Sequence, residues 1–563
     1  MSEALPAPRG GLLSEAALLR LCLWFAALLL AVGLALPLAT LLARAFLGAD
    51  DEFVGLRHFA AYAATPALLV SAWNSTWTAA LTTVIVVPIA FLFAYGLTRS
   101  RMPGRPAFRA VMLIPILAPS LLPALSLIYL FGNQGLLRVL MPEGASIYGA
   151  PGIVMAQVIH TFPHAAIILS VALGMADARL FEAAETLKAG RLRIFRDVTL
   201  PAARYGLVSA TVVVFTLVVT DFGIPKVIGG QFPVLATDVY KQVIGQQNFS
   251  MGAVVALVLL LPALFSFLAE RWAQRMQAGA ISGRAVLYVA KPRLARDLPL
   301  FLLCLAVAAV LLGIVAMAAW GSLIRFWPYN MSLTLANYDF ARFDSEGWGS
   351  LWTSVSMAGL AALLGTPVVF ITAYLLERGA AGGAVSGFVR VAAIAPLAVP
   401  GLVLGLAYIL FFNHPANPLG FLYGTLAILV LNCVVHFYTV AHLTAVTAIR
   451  QLDPEFEAVG ASLRVPRRVT FGRVTVPISL PAILEIAVYL FVNAMTTVSA
   501  VVFLYGPGSK PASVAVVQMD EAGQIAAAAA MACVILGITA SVKILQIGVV
   551  RLMTSRAGWR AGR

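Results

Sequence analysis

Charged side chains are scarce in this chain: Asp, Glu, Lys and Arg make up 11% of its 563 residues, while apolar residues make up 61%. A soluble protein of this length needs far more charge to cover its surface. The apolar runs reach about 20 residues, the length that a helix needs to cross a bilayer, whereas barrel strands would show about ten residues of alternating pattern. The composition therefore predicts an all-α polytopic membrane protein.

Cysteine is scarce as well, and no two cysteines form a CxxC pair. Each lies inside an apolar stretch: Cys22, Cys304, Cys433 and Cys533. Such isolated thiols are typical of small buried residues and not of a disulfide framework. His160 and His164 are four residues apart, but Pro163 lies between them and no thiolate or carboxylate is near in sequence. We therefore predict no metal site, and we expect the two histidines to make hydrogen bonds within a span.

The chain also lacks the motifs of a nucleotide-hydrolysing enzyme. None of its six lysines completes the phosphate-binding pattern GxxxxGK[ST]. No clustered nucleophile, base or set of metal ligands is evident either. We therefore predict that the chain is not an enzyme and holds no cofactor of its own.

Apolar runs separated by charged residues or by Pro and Gly clusters predict about twelve transmembrane helices. They are expected near residues 18–46, 71–97, 108–131, 152–176, 205–225, 251–270, 298–323, 351–376, 389–412, 420–446, 480–504 and 522–546. With the amino terminus taken as cytoplasmic, 30 of the 38 lysines and arginines fall on the inner side. Cytoplasmic loops carry such an excess, so both termini are predicted to be cytoplasmic. Because the charge is spread over many loops, it does not indicate nucleic-acid binding.

The two halves of the chain resemble each other at a constant offset. Residues 177–188 align with residues 453–464 at an offset of 276, which also pairs Phe195 with Phe471. Each half then has six spans, with this loop between its fourth and fifth. Because six is even, the halves cross the membrane in the same direction. We expect a first repeat at 1–270, a cytoplasmic linker at 271–297 and a second repeat at 298–563.

Each repeated loop, about 177–201 and about 453–477, begins with a short amphipathic helix. Apolar or small residues recur at i, i+4 and i+7 and form one stripe in each loop: Leu180, Ala184 and Leu187 in the first, Phe456, Gly460 and Leu463 in the second. Such a helix suits insertion into a groove on another protein. A helix lying flat at the lipid interface has the same pattern, so the residues alone leave both interpretations open.

The first loop is similar to the EAA motif of binding-protein-dependent ABC transporter permeases, EAAxxxGAxxxxxFxxIxLP. The matching residues are Glu182, Ala183, Ala184, Ala189, Phe195, Val198, Leu200 and Pro201. The second loop matches mainly at its end, through Phe471, Val474, Val476 and Pro477, with Glu457 one place early. Lys188 and Arg464 stand where the family has glycine. The resemblance favours docking for both loops, and the first loop is the closer match.

The resemblance implies a fold and a set of partners. The fold is the type I ABC importer permease (MetI-like) fold, with two parallel six-helix repeats. The loops would form coupling helices seated on two copies of an ABC ATPase subunit, which would bind ATP and Mg. A periplasmic solute-binding protein and membrane lipid would be further partners, without nucleic acid. The chain would be a multi-pass protein of the bacterial inner (cytoplasmic) membrane.

The resemblance also suggests a substrate. A fused double permease resembles the ferric-iron, thiamine and 2-aminoethylphosphonate importer group, and residues 220–230, 235–248 and 491–505 look most like the 2-aminoethylphosphonate permeases. That compound is therefore the expected substrate. A ferric-iron or other small-solute importer with the same machinery is the alternative. From another class, an ion-driven secondary transporter with twelve spans is a further alternative.

Polar residues near the ends of spans five and eleven predict the translocation path. They are Asp221, Asn493, Thr496, Thr497 and Ser499. Ionisable groups inside spans are costly and usually face water or a partner. Asp221 lies beside Gly223 and Pro225, which loosen the helix, so we expect it at the path or at a gate. The hydroxyls of Thr496 and Thr497 would otherwise bond between helices.

Overall fold

The computed structural model describes residues 15–48, 51–175, 177–280, 288, 290–379, 383–453 and 455–556. Within them, nine helices are long and apolar enough to cross a membrane, and three bent pairs bring the number of spans to as many as twelve. The nine are span 1 (Ala17–Arg44), span 2 (Pro66–Arg99), span 4 (Ala150–Gly174), span 5 (Arg191–Thr220), span 6 (Phe249–Trp272), span 7 (Leu294–Ser322), span 8 (Trp348–Arg378), span 11 (Arg467–Thr496) and span 12 (Ile525–Met553). The predicted all-α membrane fold is confirmed.

Spans 3, 9 and 10 are bent. Span 3 joins Arg105–Leu117 to Leu121–Phe131 at 98°, span 9 joins Ala384–Ala398 to Gly401–Phe412 at 117°, and span 10 joins Leu426–His436 to Tyr438–Arg450 at 53°. Proline explains the two sharper bends, because the residue before a proline is pushed out of the helical region. Ala118 before Pro119 and Val399 before Pro400 both have extended backbone. The break in span 10, at Phe437, occurs without a proline.

The two repeats are interlocked. In the first, span 2 packs against spans 4 and 5, and in the second, span 8 packs against spans 10 and 11. Span 1 crosses over to pack against spans 8 and 9, and span 7 crosses back to pack against span 3. At one crossing, a Cβ on Gly33 would lie 2.7 Å from Cγ2 of Val435, so glycine allows the close approach of span 1 to span 10.

Shorter elements connect the spans. They are the helices Arg57–Ala63, Ala178–Thr186, Gly223–Ile228, Leu235–Tyr240, Glu455–Ser462 and Ala512–Glu521, single turns at Arg138–Leu140, Ala336–Tyr338, Phe340–Arg342 and Gly420–Leu422, and the antiparallel strands Ile324–Phe326 and Asn330–Leu333. The helix of span 6 continues to Ala280, into the predicted linker 271–297, because residues 271–280 contain no proline to end it. Residues 281–287 and 289 of that linker lie outside the described residues.

Spans 5 and 11 end earlier than the hydrophobic pattern predicted. Their helices stop at Thr220 and Thr496, whereas the apolar runs extend to about 225 and 504. Asp221 and Thr497 are paired by the 276-residue offset, and both have extended backbone with ψ of 131° and 137°. The predicted path residues Asp221, Thr497 and Ser499 therefore lie just beyond the helix ends, where the backbone is free to turn.

Candidate coupling loops and central cavity

The first repeated loop begins with the helix Ala178–Thr186. The side chain of Asp177 accepts a hydrogen bond from the Arg179 amide at 3.1 Å and caps the start of this helix. At its end Lys188 has φ of 53°, and the Ala189 amide donates back to the Ala184 carbonyl at 3.0 Å. This is the Schellman arrangement, which satisfies carbonyls that would otherwise lack partners.

The second repeated loop has the same geometry. Its helix Glu455–Ser462 is capped by Asp453, which accepts from the Glu455 amide at 2.9 Å. Arg464 has φ of 54°, and the Val465 amide donates to the Gly460 carbonyl at 2.8 Å. Although its sequence matches the EAA pattern less well, the second loop reproduces the turn of the first, with Lys188 and Arg464 in the glycine positions.

The apolar stripes of both loops face outward. The side chains of Leu180, Leu187, Phe456 and Leu463 are 55%, 82%, 46% and 70% exposed. Glu182 and Ala183 are exposed beside the first stripe, while Ala184, Glu457 and Gly460 are half-buried. Exposed apolar residues at the spacing of one helix face are typical of a surface that another molecule covers. The assignment of these residues to ATPase coupling stays a prediction.

One aromatic residue anchors each loop to the helical bundle. The ring of Phe195 lies 6.0 Å from Phe91 and 6.2 Å from Tyr95 on span 2. The ring of Phe471 makes the same contacts with span 8, at 6.0 Å from Phe370 and 4.7 Å from Tyr374. Pro201 and Pro477 lie inside spans 5 and 11, two residues after the π-helical turns Phe195–Thr199 and Phe471–Thr475. The motif's phenylalanine thus joins each loop to the second helix of its repeat.

A cavity of about 470 Å³ lies between the two repeats. The breaks in spans 3, 9 and 10 and the ends of spans 5 and 11 all contribute to its lining. Its wall includes all five residues predicted for the path: Asp221, Asn493, Thr496, Thr497 and Ser499. The structure therefore brings these residues together from two repeats, although their contact with a substrate stays a prediction.

Asp221 is held in place by neighbouring donors. Its Oδ2 accepts from the Gln157 Nε2 of span 4 and from the Ile224 amide, each at 2.9 Å. Asn493 and Thr496 instead bond to their own helix, through donation to the carbonyl oxygens of Tyr489 at 2.8 Å and Val492 at 2.9 Å. The predicted alternative of hydroxyl bonds between helices is therefore not seen for Thr496.

Histidines line the same cavity, and sequence reasoning assigned them no part in it. His160 and His164 on span 4 have ring centroids 6.1 Å apart, and His436 lies at the break of span 10. In His160 and His436, Nδ1 is shielded from solvent and has no hydrogen-bond partner among the described residues, so the hydrogen bond expected for His160 is not seen at this atom. The 276-residue offset pairs His160 with His436, which is the signal that could have found them.

The described lining residues carry few formal charges. Asp221 and Glu270 are the carboxylates among them, and they include no lysine or arginine. Glu270 accepts from the Ser209 hydroxyl at 2.7 Å, which ties span 6 to span 5. The equivalent pair in the second repeat is reversed, since the carboxylate of Glu485 on span 11 accepts from the amide of Gln546 on span 12. Glu485 also accepts from Lys543 at 2.9 Å. Glu485 is thus an interhelical group and does not line the cavity.

Two ranges of the chain, 86–278 and 378–554, match the family described as binding-protein-dependent transport system inner membrane component. The matches cover more than half of the chain, and their presence in both halves confirms the duplication. The ferric transport system permease protein FbpB of Actinobacillus pleuropneumoniae is 28% identical over 470 residues, which span 80% of this chain and 67% of that protein.

A second relative is also named for ferric transport, and a third is named for molybdenum transport. A Haemophilus influenzae permease named for ferric transport is 29% identical over 438 residues, 74% of this chain and 68% of its own. The molybdenum transport system permease protein ModB of Escherichia coli is 26% identical over 203 residues, 35% of this chain and 89% of its own. Such relatives are transport components and not enzymes. The chain belongs to the family of binding-protein-dependent ABC permeases of the inner membrane.

Proposed function

We propose that the central cavity is the translocation path of this importer and that each repeated loop docks onto one of two ATPase subunits. The observation that carries the proposal is the repetition of one loop geometry, with an outward apolar stripe, 276 residues apart. The partner subunits bind ATP and Mg. A periplasmic binding protein delivers the solute to the opposite face, and both termini lie in the cytoplasm, as the distribution of basic residues indicates.

Ferric iron is the substrate that we propose. Two relatives that align with most of this chain are named for ferric transport. The described cavity lining offers carboxylate and imidazole groups, which bind iron, and it lacks a lysine or arginine that would repel a cation. Among the described residues no three of these ligands are close enough to hold a metal ion. We propose that the ion passes from one of these groups to the next, since conduction requires binding that is weak enough to release.

2-Aminoethylphosphonate is the second candidate. The carboxylate of Asp221 comes from the first repeat, whereas the polar groups of Asn493, Thr497 and Ser499 come from the second. A zwitterion would place its ammonium near the carboxylate and its phosphonate near the amide and hydroxyl donors. It ranks behind ferric iron because the described lining has no fixed positive charge for the phosphonate.

Uptake by cells with and without the gene tests both candidates. Cells are given radiolabelled ferric iron in one assay and radiolabelled 2-aminoethylphosphonate in another. We expect iron uptake to fall on deletion and to return when the gene is restored. Loss of phosphonate uptake alone would select the second candidate. Equal uptake of both compounds by the two strains would refute both substrate assignments.

A further inference from the structure

Two arginines occupy the same place in the two repeats, at the last residue of spans 2 and 8. Arg99 is 3% exposed, and its Nη2 donates to the Leu173 carbonyl at 2.7 Å. The Nη2 of Arg378 donates to the carbonyls of Ile449 and Leu452 at 3.0 and 2.6 Å. Leu173 and Ile449 are paired by the 276-residue offset, so both guanidinium groups hold the same carbonyl of the repeat.

That carbonyl lies in the last turn of the span that leads into each coupling loop. Carbonyls in the last turn of a helix lack partners inside the helix, and a cation there is favourable. Span 4 ends at Gly174 and the first loop helix begins at Ala178, and span 10 ends at Arg450 shortly before Glu455. Each guanidinium therefore ties the end of span 2 or span 8 to the chain just ahead of a loop helix.

The first arginine also touches the loop helix itself. Its Cζ lies 4.5 Å from the ring of Phe181 on the loop helix and 4.6 Å from the ring of Tyr288, in the segment between the repeats. The two rings are 4.8 Å apart. A guanidinium packed against the faces of two aromatic rings is well stabilised where water is excluded. Span 2, the loop helix and the segment between the repeats therefore meet at Arg99.

The second arginine has a different setting. At the 276-residue offset, Glu457 corresponds to Phe181. The Tyr374 hydroxyl on span 8 donates a hydrogen bond to the Glu457 carboxylate. No aromatic ring stacks on Arg378 in the part of the chain that the structure describes. The second loop is thus joined to span 8 by the shared carbonyl contact but without the aromatic stack.

We infer that Arg99 and Arg378 are positioning residues that pass the displacement of each loop helix to spans 2 and 8, and that the stack of Phe181 and Tyr288 makes the first connection the tighter one. This inference rests on the proposed docking of the loops onto ATPase subunits. Neither arginine lines the cavity. Their loss is therefore expected to separate ATP hydrolysis from transport and to leave the substrate concentration for half-maximal transport unchanged.

The test uses proteoliposomes that contain the chain with its ATPase and binding protein. Uptake of radiolabelled ferric iron, or of 2-aminoethylphosphonate if the wild-type complex moves that instead, is measured together with ATP hydrolysis. For Arg99→Ala we expect the solute moved per ATP to fall about ten-fold, as one lost charged hydrogen bond would give. Arg378→Ala is expected to lower the ratio less. Arg101→Ala, at an exposed arginine two residues from Arg99, is the matched control and is expected to keep the wild-type ratio.

Two further variants keep the inference testable if the alanine variant does not fold. Arg99→Lys keeps the charge without the planar stack, and Phe181→Leu removes one ring; both are expected to lower the ratio while the ATPase still co-purifies. If these variants move as much solute per ATP as wild type, with hydrolysis and uptake falling together, the inference is overturned. The arginines would then only stabilise the fold. If the proposed function itself is wrong, the wild-type complex shows no ATP-dependent uptake, and this result differs from every outcome expected for the variants.

Discussion

Lys188 and Arg464, 276 residues apart, share a left-handed backbone conformation with φ of 53° and 54°. Each follows the helix of a repeated loop, and the next amide in each donates to the carbonyl five residues earlier. The family pattern has glycine here, because a Cβ in this conformation is strained. The backbone hydrogen bonds of the turn therefore hold two basic residues where glycine is the common choice.

Substitutions at Lys188 test this strain. The left-handed conformation costs a residue with a Cβ about 1–2 kcal/mol. Replacement by glycine removes this strain, but part of the gain is lost because glycine has more conformational freedom in the unfolded chain. Lys188→Gly is therefore expected to retain transport and to leave the midpoint of thermal unfolding unchanged or raised. Lys188→Val is expected to lower both, because a β-branched side chain is less tolerated there. Ala189→Gly is the control, because Ala189 does not have a positive φ. It should not raise the midpoint of thermal unfolding. A Lys188→Val protein as stable and active as wild type would contradict this explanation.

The exposed stripes give a prediction about ATPase binding. Replacing Leu180 and Leu187 together by Glu places two charges on a surface that is expected to be covered by the ATPase. Burying an unpaired charge costs several kcal/mol, so we expect at least about a hundred-fold loss of affinity, seen as loss of the ATPase on co-purification. The same change at Phe456 and Leu463 is expected to weaken docking at the second loop.

Leu140→Glu is the control for this experiment. Leu140 is 71% exposed but lies in the connection between spans 3 and 4, away from both loops. Its substitution is expected to leave ATPase recovery at the wild-type level. Normal recovery of the ATPase with Leu180, Leu187, Phe456 and Leu463 all replaced would show that the loops do not bind it.

A buried ion pair gives a prediction about stability. Lys510 and Asp344 form a salt bridge in which the two side chains are 6% and 3% exposed. The ammonium group also lies 3.1 Å from Oε1 of Gln518. Lys510→Met leaves the carboxylate buried and unpaired, which typically costs about 3–5 kcal/mol, so the thermal midpoint in detergent should fall clearly.

Replacing both members of the pair provides the matching control. The double variant Asp344→Leu, Lys510→Met leaves no unpaired charge, so we expect most of the lost stability to return. A double variant that is less stable than Lys510→Met would mean that the pair contributes more than charge compensation.

Asp221 gives a prediction about the cavity. Asp221→Asn keeps an oxygen that can accept from the Ile224 amide but removes the negative charge. We expect the fold to be retained and uptake to fall at least about ten-fold, because the ionised group offers a far stronger interaction to a passing cation. Asp238→Asn is the control, since this carboxyl is 6% exposed but does not line the cavity. Equal uptake by wild type and Asp221→Asn would remove Asp221 from the path.

Much of the fold follows from the sequence because lipid imposes simple requirements. Runs of apolar residues long enough to span a bilayer predicted twelve spans, and nine helices with three bent pairs are found within the described residues. Pro119 and Pro400, which cause the two sharper bends, were visible in the sequence. The bends of 98° and 117° were not, since they depend on how each half-helix packs. The break at Phe437 had no local signal at all.

The candidate site was predictable in part. A constant offset located both loops, and the polar span ends gave five residues that line one cavity. The burial of Phe181 was missed because its partners, Arg99 and Tyr288, lie far away in sequence. The position of the three histidines in the cavity was missed because that cavity exists only where both repeats meet. Contacts between distant segments are not encoded in local spacing.

Reconstitution in proteoliposomes measures whether this chain moves a solute only with ATP and both partner proteins. The chain is purified with its ATPase subunit, placed in proteoliposomes with the binding protein and assayed for uptake of radiolabelled ferric iron and of 2-aminoethylphosphonate, with and without ATP. The account predicts that one of these solutes accumulates only when ATP and both partners are present, and that glutamate at Leu180 and Leu187 abolishes this accumulation. Uptake that proceeds without ATP, or that is unaffected by those two substitutions, would contradict it.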